Sequence, residues 1–162
     1  MWFPDGGRIL VNGREAGHSP RAYLQDVSGG LPRPFTPENT WALSISSDGE
    51  WIAAVTQGQG VSVWPVSGGS PHQVPGTEPG DRPVSFSADG RSLWVFRRGE
   101  VPVNVFQVEI GSGRRTLWKT LMPPDPDGVY AITNLQVTPT GDAYFYGYAR
   151  VLSELYVVSG LR

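Results

Sequence analysis

The side chains able to do chemistry are few and far apart. His18 and His72 are the two histidines, cysteine is absent, and no serine stands in a Gly-x-Ser-x-Gly turn. No Gly-x-x-x-x-Gly-Lys phosphate loop and no His-Glu-x-x-His pair occurs either, so the strong signatures of nucleophilic, phosphoryl-transfer and zinc chemistry are missing. Without cysteine there is no thiolate catalysis, disulfide or thiolate metal site. Asp125-Pro126-Asp127-Gly128 begins as a calcium loop begins. Thr133, Asn134 and Leu135 stand where the closing acidic ligand belongs, so it reads as a structural loop. These absences predict no enzyme activity, no cofactor and no metal site. What remains is a set of arginines in polar stretches: Arg14 and Arg21 in GREAGHSPR (13 to 21), Arg97 and Arg98 in RRGEVP (97 to 102), and Arg150 in YARVLS (148 to 153). Guanidinium groups on loops suit recognition of a partner rather than a reaction. His18 and Tyr130 share those stretches or their neighbours and complete the candidate binding set, whose alternative is a collection of solvated loop side chains.

The elements that must position these residues are announced by a repeat. FPDGGRILV (3 to 11), ISSDGEWIAAV (45 to 55), FSADGRSLWVF (86 to 96) and VTPTGDAYFYG (137 to 147) each set a turn pair ahead of an apolar run. Asp5, Asp48, Asp89 and Thr140, each followed by Gly, are 43, 41 and 51 residues apart, and Ser-Gly pairs at 28, 67, 112 and 159 fall between them. A unit of strand, Asp-Gly turn, strand, loop, strand, Gly turn, strand with a period of 40 to 50 residues is the pattern of a propeller blade. Its turn centre needs positive φ, which glycine adopts without steric cost. Gly90 is placed at such a centre and Gly99 in a longer, adaptable loop.

Lettering each unit's strands A to D, the A strands are expected at 41–46, 84–87 and 135–138. The B strands at 8–11, 51–55, 93–96 and 143–148 are nearly continuous apolar runs, as strands buried on both faces must be. C strands are expected at 23–27, 61–66, 105–110 and 155–158, and D strands, carrying Pro and charge, at 32–35, 72–75 and 114–117 as an outer edge. The prediction is an all-β chain: a propeller arc of about four four-stranded antiparallel blades near 1–40, 41–83, 84–131 and 132–162, with fourteen full strands. An open arc leaves apolar end faces, expected at Ile9 and Val11 on one side and at Tyr144, Tyr146 and Tyr148 on the other. It therefore implies either the remainder of a larger propeller or a second copy as a partner.

Composition agrees. Gly 21 and Pro 15 in 162 residues mark a turn-rich chain, while 39% hydrophobic and 11% aromatic residues suffice for a core. Of the tryptophans, Trp51, Trp64 and Trp94 are assigned to space between blades, and Trp41 is left open. A net charge of −2, with 13 basic and 15 acidic residues dispersed, argues against nucleic acid as a partner. No apolar run approaches the roughly 20 residues of a membrane helix, and the first residues lack the pattern of a signal peptide.

FSADGRSLWVF, the Tyr23-Leu24 and Val105-Phe106 strands and RPFTPEN (33 to 39) resemble the WD40-like PD40 repeat of TolB-type propellers. The segment from Met122 to Arg162 resembles the C-terminal end of propellers attached to bacterial eukaryotic-like Ser/Thr protein kinases. The resemblance implies a non-catalytic binding, sensor or scaffold module for a protein or small ligand, with an extracytoplasmic or periplasmic setting. Its rival is a propeller accessory to a prolyl-oligopeptidase-type hydrolase.

Overall fold

The computed structural model describes residues 1–157, 159 and 160, and among them there is no helix. Thirteen strands form four antiparallel sheets in sequence order. The first sheet holds β1 (Arg8–Gly13), β2 (Arg21–Asp26) and β3 (Arg33–Pro34), and the second β4 (Thr40–Ile45), β5 (Trp51–Thr56), β6 (Val61–Pro65) and β7 (His72–Gln73). The third holds β8 (Asp81–Phe86), β9 (Ser92–Arg97), β10 (Val103–Glu109) and β11 (Arg115–Leu121), and the fourth β12 (Val129–Val137) and β13 (Tyr144–Arg150). Each sheet is an up-and-down meander, and successive sheets stack as blades. In front of β1, Trp2 makes an isolated antiparallel bridge to Ile9, in the place an A strand takes in the other blades.

The repeated turn now has a physical account. In all four blades the turn glycine donates its N–H to the carbonyl three residues earlier: Gly6 to Phe3, Gly49 to Ser46, Gly90 to Ser87 and Gly141 to Thr138, at 2.9 to 3.0 Å. Ser46 and Ser87 then do two things at once. Each hydroxyl donates to the turn aspartate, Asp48 at 2.5 Å and Asp89 at 2.6 Å, and accepts the first N–H of the next strand, from Trp51 and Ser92. The aspartate also takes the N–H of Glu50 or Arg91. Thr138 plays the serine's part in the fourth blade, with Asp142 as its acid. Short polar side chains thus satisfy the turn's backbone without water and fix the hairpin register.

Three apolar clusters join the blades. Leu10, Ala22, Leu24, Ala42 and Ile52 lie between the first and second, and Val55, Val63, Phe86, Leu93, Val95 and Val108 between the second and third. Trp94, Val105, Leu121, Ile132 and Val137 lie between the third and fourth. Complete burial of β5 and β9 at Ile52, Ala53, Leu93 and Val95 agrees with their unbroken apolar sequences.

Several expectations are corrected. The A strands β8 and β12 begin at Asp81 and Val129, earlier than the sequence indicated. β8 takes in Pro83 because it is an edge strand with a bulge between Pro83 and Ser85, where a missing N–H breaks no ladder. Asn134, at φ 50°, marks the irregularity that let β12 run past its expected start. Residues 151–157 form no strand, so the expected fourth C strand is absent over Leu155–Val157, and its last position, 158, lies outside the described residues. Gly99, expected to be adaptable, has φ 92°, as demanding as the 69° of Gly90. At the arc's ends, Val11 is 41% exposed on the uncovered side as expected. On the other side Tyr148 is 46% exposed as expected and Tyr144, edge-on to Trp118 at 5.5 Å, is still 40% exposed. Tyr146 instead packs against the cluster between the third and fourth blades, and Phe145, not expected there, is the most exposed of the strand's aromatics at 63%.

Candidate functional site

Register decides which loops share a rim. The start of β4 pairs with the end of β5 (Thr40 with Thr56), that of β8 with the end of β9 (Asp81 with Arg97), and that of β12 with the end of β13 (Val129 with Arg150). The B–C loops and D–A connections therefore edge one rim and the Asp-Gly turns edge the other. Arg14 and His18 lie in the β1–β2 loop, Arg21 opens β2, Arg97 and Arg98 leave β9, Tyr130 begins β12 and Arg150 closes β13. All seven belong to the loop rim, but they form three groups on three blades, and among the described residues no hydrogen bond or ion pair joins Arg14, His18 or Arg21 to the other four.

Most of these side chains are already engaged. His18 Nδ1 lies 2.7 Å from Glu38 Oε1, and Glu38 also accepts the Ser19 N–H. These two bonds hold the Glu38 carboxyl below its ordinary pKa. Arg21 donates to the Tyr23 hydroxyl and to Glu15 at 3.2 and 3.1 Å, and both bonds raise its pKa. Arg150 pairs with Asp125 at 2.6 Å, which gives the Asp-Pro-Asp-Gly loop its structural role. Tyr130 is 62% exposed. Arg97 sits among Glu78 (2.7 Å), Asp81 (3.2 Å) and Glu100 (4.0 Å).

Asp81 is the centre of a cluster the sequence did not reveal. It is 1% exposed and accepts from Arg97, from Arg115 at 2.6 Å and from the Glu78 N–H at 3.0 Å. Arg115 lies 4.0 Å over the Phe106 ring. A buried carboxylate with three donors ties β8, β9 and β11 together. Its partners are 16 and 34 residues away, which is why no local pattern signals it.

Beside it, a cleft of about 330 Å³ opens between the second and third blades on the loop rim, with Trp41, Gln57, Gln59, Arg82, Arg98 and the buried Asp81 itself among its walls. Burial first, and then the charge of Arg98, hold Arg82 below the usual guanidinium pKa. Arg82 was not singled out from sequence. Its place opposite Phe96 at the head of β8, next to the end of β9, is the register signal that would have found it.

A larger cleft of about 1010 Å³ opens on the opposite rim between the same two blades, with Trp51, His72, Phe86, Gln107 and Glu109 among its walls. Trp51 and His72 pack at 5.9 Å, so His72 is a partner of Trp51 as well as an edge residue. The charges there are internally matched. Glu109 pairs with Arg114 and accepts from Ser112. Asp89 is bound by Ser87 and lies in the field of Arg91. Among the described residues no group of three His, Asp or Glu is close enough to hold a metal ion.

No protein-family model and no curated protein matches the chain. Solved structures do. The chain is similar to TolB from Acinetobacter baumannii at 16% identity and a TM-score of 0.61, covering 91% of this chain and 42% of that one. It is similar to a protein assigned as TolB from Agrobacterium tumefaciens at 15% identity and a TM-score of 0.66, covering 92% and 53%. A third structure, from a study of two prolyl endopeptidases, matches at 13% identity and a TM-score of 0.54, covering 89% and 25%. The chain thus spans about half the length of the TolB structures it matches. Four stacked up-and-down sheets and these likenesses together identify the chain as an arc with the fold of a TolB-type β-propeller.

Proposed function

We propose that this arc is a non-catalytic binding or scaffold module that engages a protein or small ligand through the rim of its B–C and D–A loops. The observation that carries the reading is the register, which puts Arg14, His18, Arg21, Arg97, Arg98, Tyr130 and Arg150 on one side of a rigid sheet stack. Loops on a fixed scaffold are where recognition residues concentrate. The exposed side chains of the end blades, Val11 and Phe145, fit a partner that continues the propeller, supplied by a longer parent chain or by a second copy. The kinase attachment rests on sequence resemblance alone.

Because the chain lacks cysteine, single reporters can be placed at will. Ala16→Cys and Gln57→Cys label the loop rim and Ser67→Cys the opposite one. Screened against metabolite and peptide libraries, the two loop-rim labels are expected to respond and the third to stay silent. A response confined to the Ser67 position overturns the reading. The second reading, a propeller accessory to a hydrolase, draws on the prolyl endopeptidase likeness. A Gly-x-Ser-x-Gly domain in the flanking gene sequence favours it, and a kinase domain favours the first.

A further inference from the structure

Arginines in this fold are mostly matched by carboxylates. Of the ten ion pairs among the described residues, none includes Arg82 or Arg98, although the two line one cleft and the charge of Arg98 acts on Arg82. The acids nearby are committed elsewhere. Asp81 is held by Arg97 and Arg115, Glu78 lies 2.7 Å from Arg97, and Glu100 lies 4.0 Å from it. Two like charges beside each other, one of them half-buried, are costly unless an opposite charge joins them. The blade facing them contributes the side chains of Trp41, Gln57 and Gln59, an aromatic ring and two amides, and no acid.

We propose that the cleft between the second and third blades binds an oxyanion, a carboxylate or phosphate group, between Arg82 and Arg98, with Trp41 against the apolar body of the molecule that carries it. This rests on the binding role of the loop rim and names the chemistry of its ligand. Guanidinium groups present their donors as a planar fork that matches two oxygens of a carboxylate or phosphate. The amides of Gln57 and Gln59 add neutral donors at the mouth. A volume of about 330 Å³ is at the small end of ligand sites, which suits a compact molecule rather than a polymer.

The test is calorimetric titration of the full chain with phenyl phosphate, benzoate, inorganic phosphate and neutral benzamide. Phenyl phosphate and benzoate are expected to bind, inorganic phosphate more weakly, and benzamide not at all. Arg82→Gln and Arg98→Gln are each expected to weaken phenyl phosphate about tenfold or more, in line with the loss of one charge-assisted hydrogen bond. Trp41→Ala should bring phenyl phosphate down to the level of inorganic phosphate. Arg98 is exposed, so its variant keeps the test valid should Arg82→Gln fold poorly, and removing one of two like charges is expected to leave the melting temperature equal or higher. Benzamide binding as tightly as benzoate, or an affinity for phenyl phosphate unchanged within twofold in Arg98→Gln, overturns the proposal. If an acidic peptide binds and no small anion does, the small-ligand proposal falls as well. Library ligands that report at Ala16→Cys and Gln57→Cys but ignore both arginine substitutions leave the rim reading standing and sink this one.

Discussion

At the scale of single residues, what separates structural from superficial charge is whether water reaches the acid. Asp81 is buried between Arg97 and Arg115, while the Asp125–Arg150 pair is largely exposed. Asp81→Ala is therefore expected to cost about 3 kcal/mol, because it strands Arg115 and leaves Arg97 only its exposed partners Glu78 and Glu100. Asp125→Ala is expected to cost less than about 1 kcal/mol. Urea denaturation of the two variants checks the contrast, and equal midpoints would refute it. The turn aspartates make a second test. Hydroxyl donors, Ser46 to Asp48, Ser87 to Asp89 and Thr138 to Asp142, are the main reason each carboxyl has a lowered pKa. A carboxyl whose pKa is lower folded than unfolded adds stability above the unfolded value, and that contribution drains away as pH falls through the folded one. The ordinary aspartate value is 3.8, so the melting temperature should begin to drop near there and continue below it. Asp89→Asn should show a shallower fall over the same range; a parallel fall in both proteins counts against the hydroxyl–carboxylate turn as the cause.

At the scale of strands and turns, the legible part of the sequence was whatever is local. Hairpins carry their own instructions in Asp-Gly and in the serine two residues before the aspartate, so β4 with β5 and β8 with β9 could be placed from short stretches. The buried, unbroken apolar runs of β5 and β9 were likewise readable. Non-local facts were not. The Arg97–Asp81–Arg115 cluster joins residues 16 and 34 positions apart, and Arg82 acquires meaning only once β8 is known to start ahead of Pro83. Gly90 and Gly99, both at positive φ, look different in sequence and equivalent in the backbone. A sharper comparison is Gly141, at φ 73°, where an added Cβ would lie 2.8 Å from the Trp94 ring, against Gly90, where it would meet nothing within 4 Å. Gly90→Ala carries only backbone strain, about 1 to 2 kcal/mol. Gly141→Ala must also displace a ring in the cluster between the third and fourth blades, adding about 1 to 3 kcal/mol. Thermal denaturation should rank Gly141→Ala clearly below Gly90→Ala, and the reverse order would mean Trp94 does not rest on that turn.

For the molecule as a whole, the end blades set the behaviour in solution. Val11 and Phe145 leave apolar surface on the two outward faces. Made alone, the chain is expected to run on size exclusion with light scattering at a mass above its 17.6 kDa, and Phe145→Lys should return it toward the monomer. A compact wild-type monomer that binds no hydrophobic dye contradicts this. Between the ends, blades are stitched by a few specific bonds. The Asn12 side chain gives Nδ2–H to the Ala42 carbonyl at 2.7 Å and takes the Ala42 N–H at 2.9 Å, while the Ser85 hydroxyl donates to the Val137 carbonyl at 2.7 Å. Among the described residues, the strands of different blades that meet closely belong to blades that are neighbours in sequence. Each blade therefore finds its docking face on the blade synthesised just before it. As the chain leaves the ribosome, the second blade can close onto the first and the third onto the second without waiting for any later residue, so the order of translation is also an order in which the protein can be assembled.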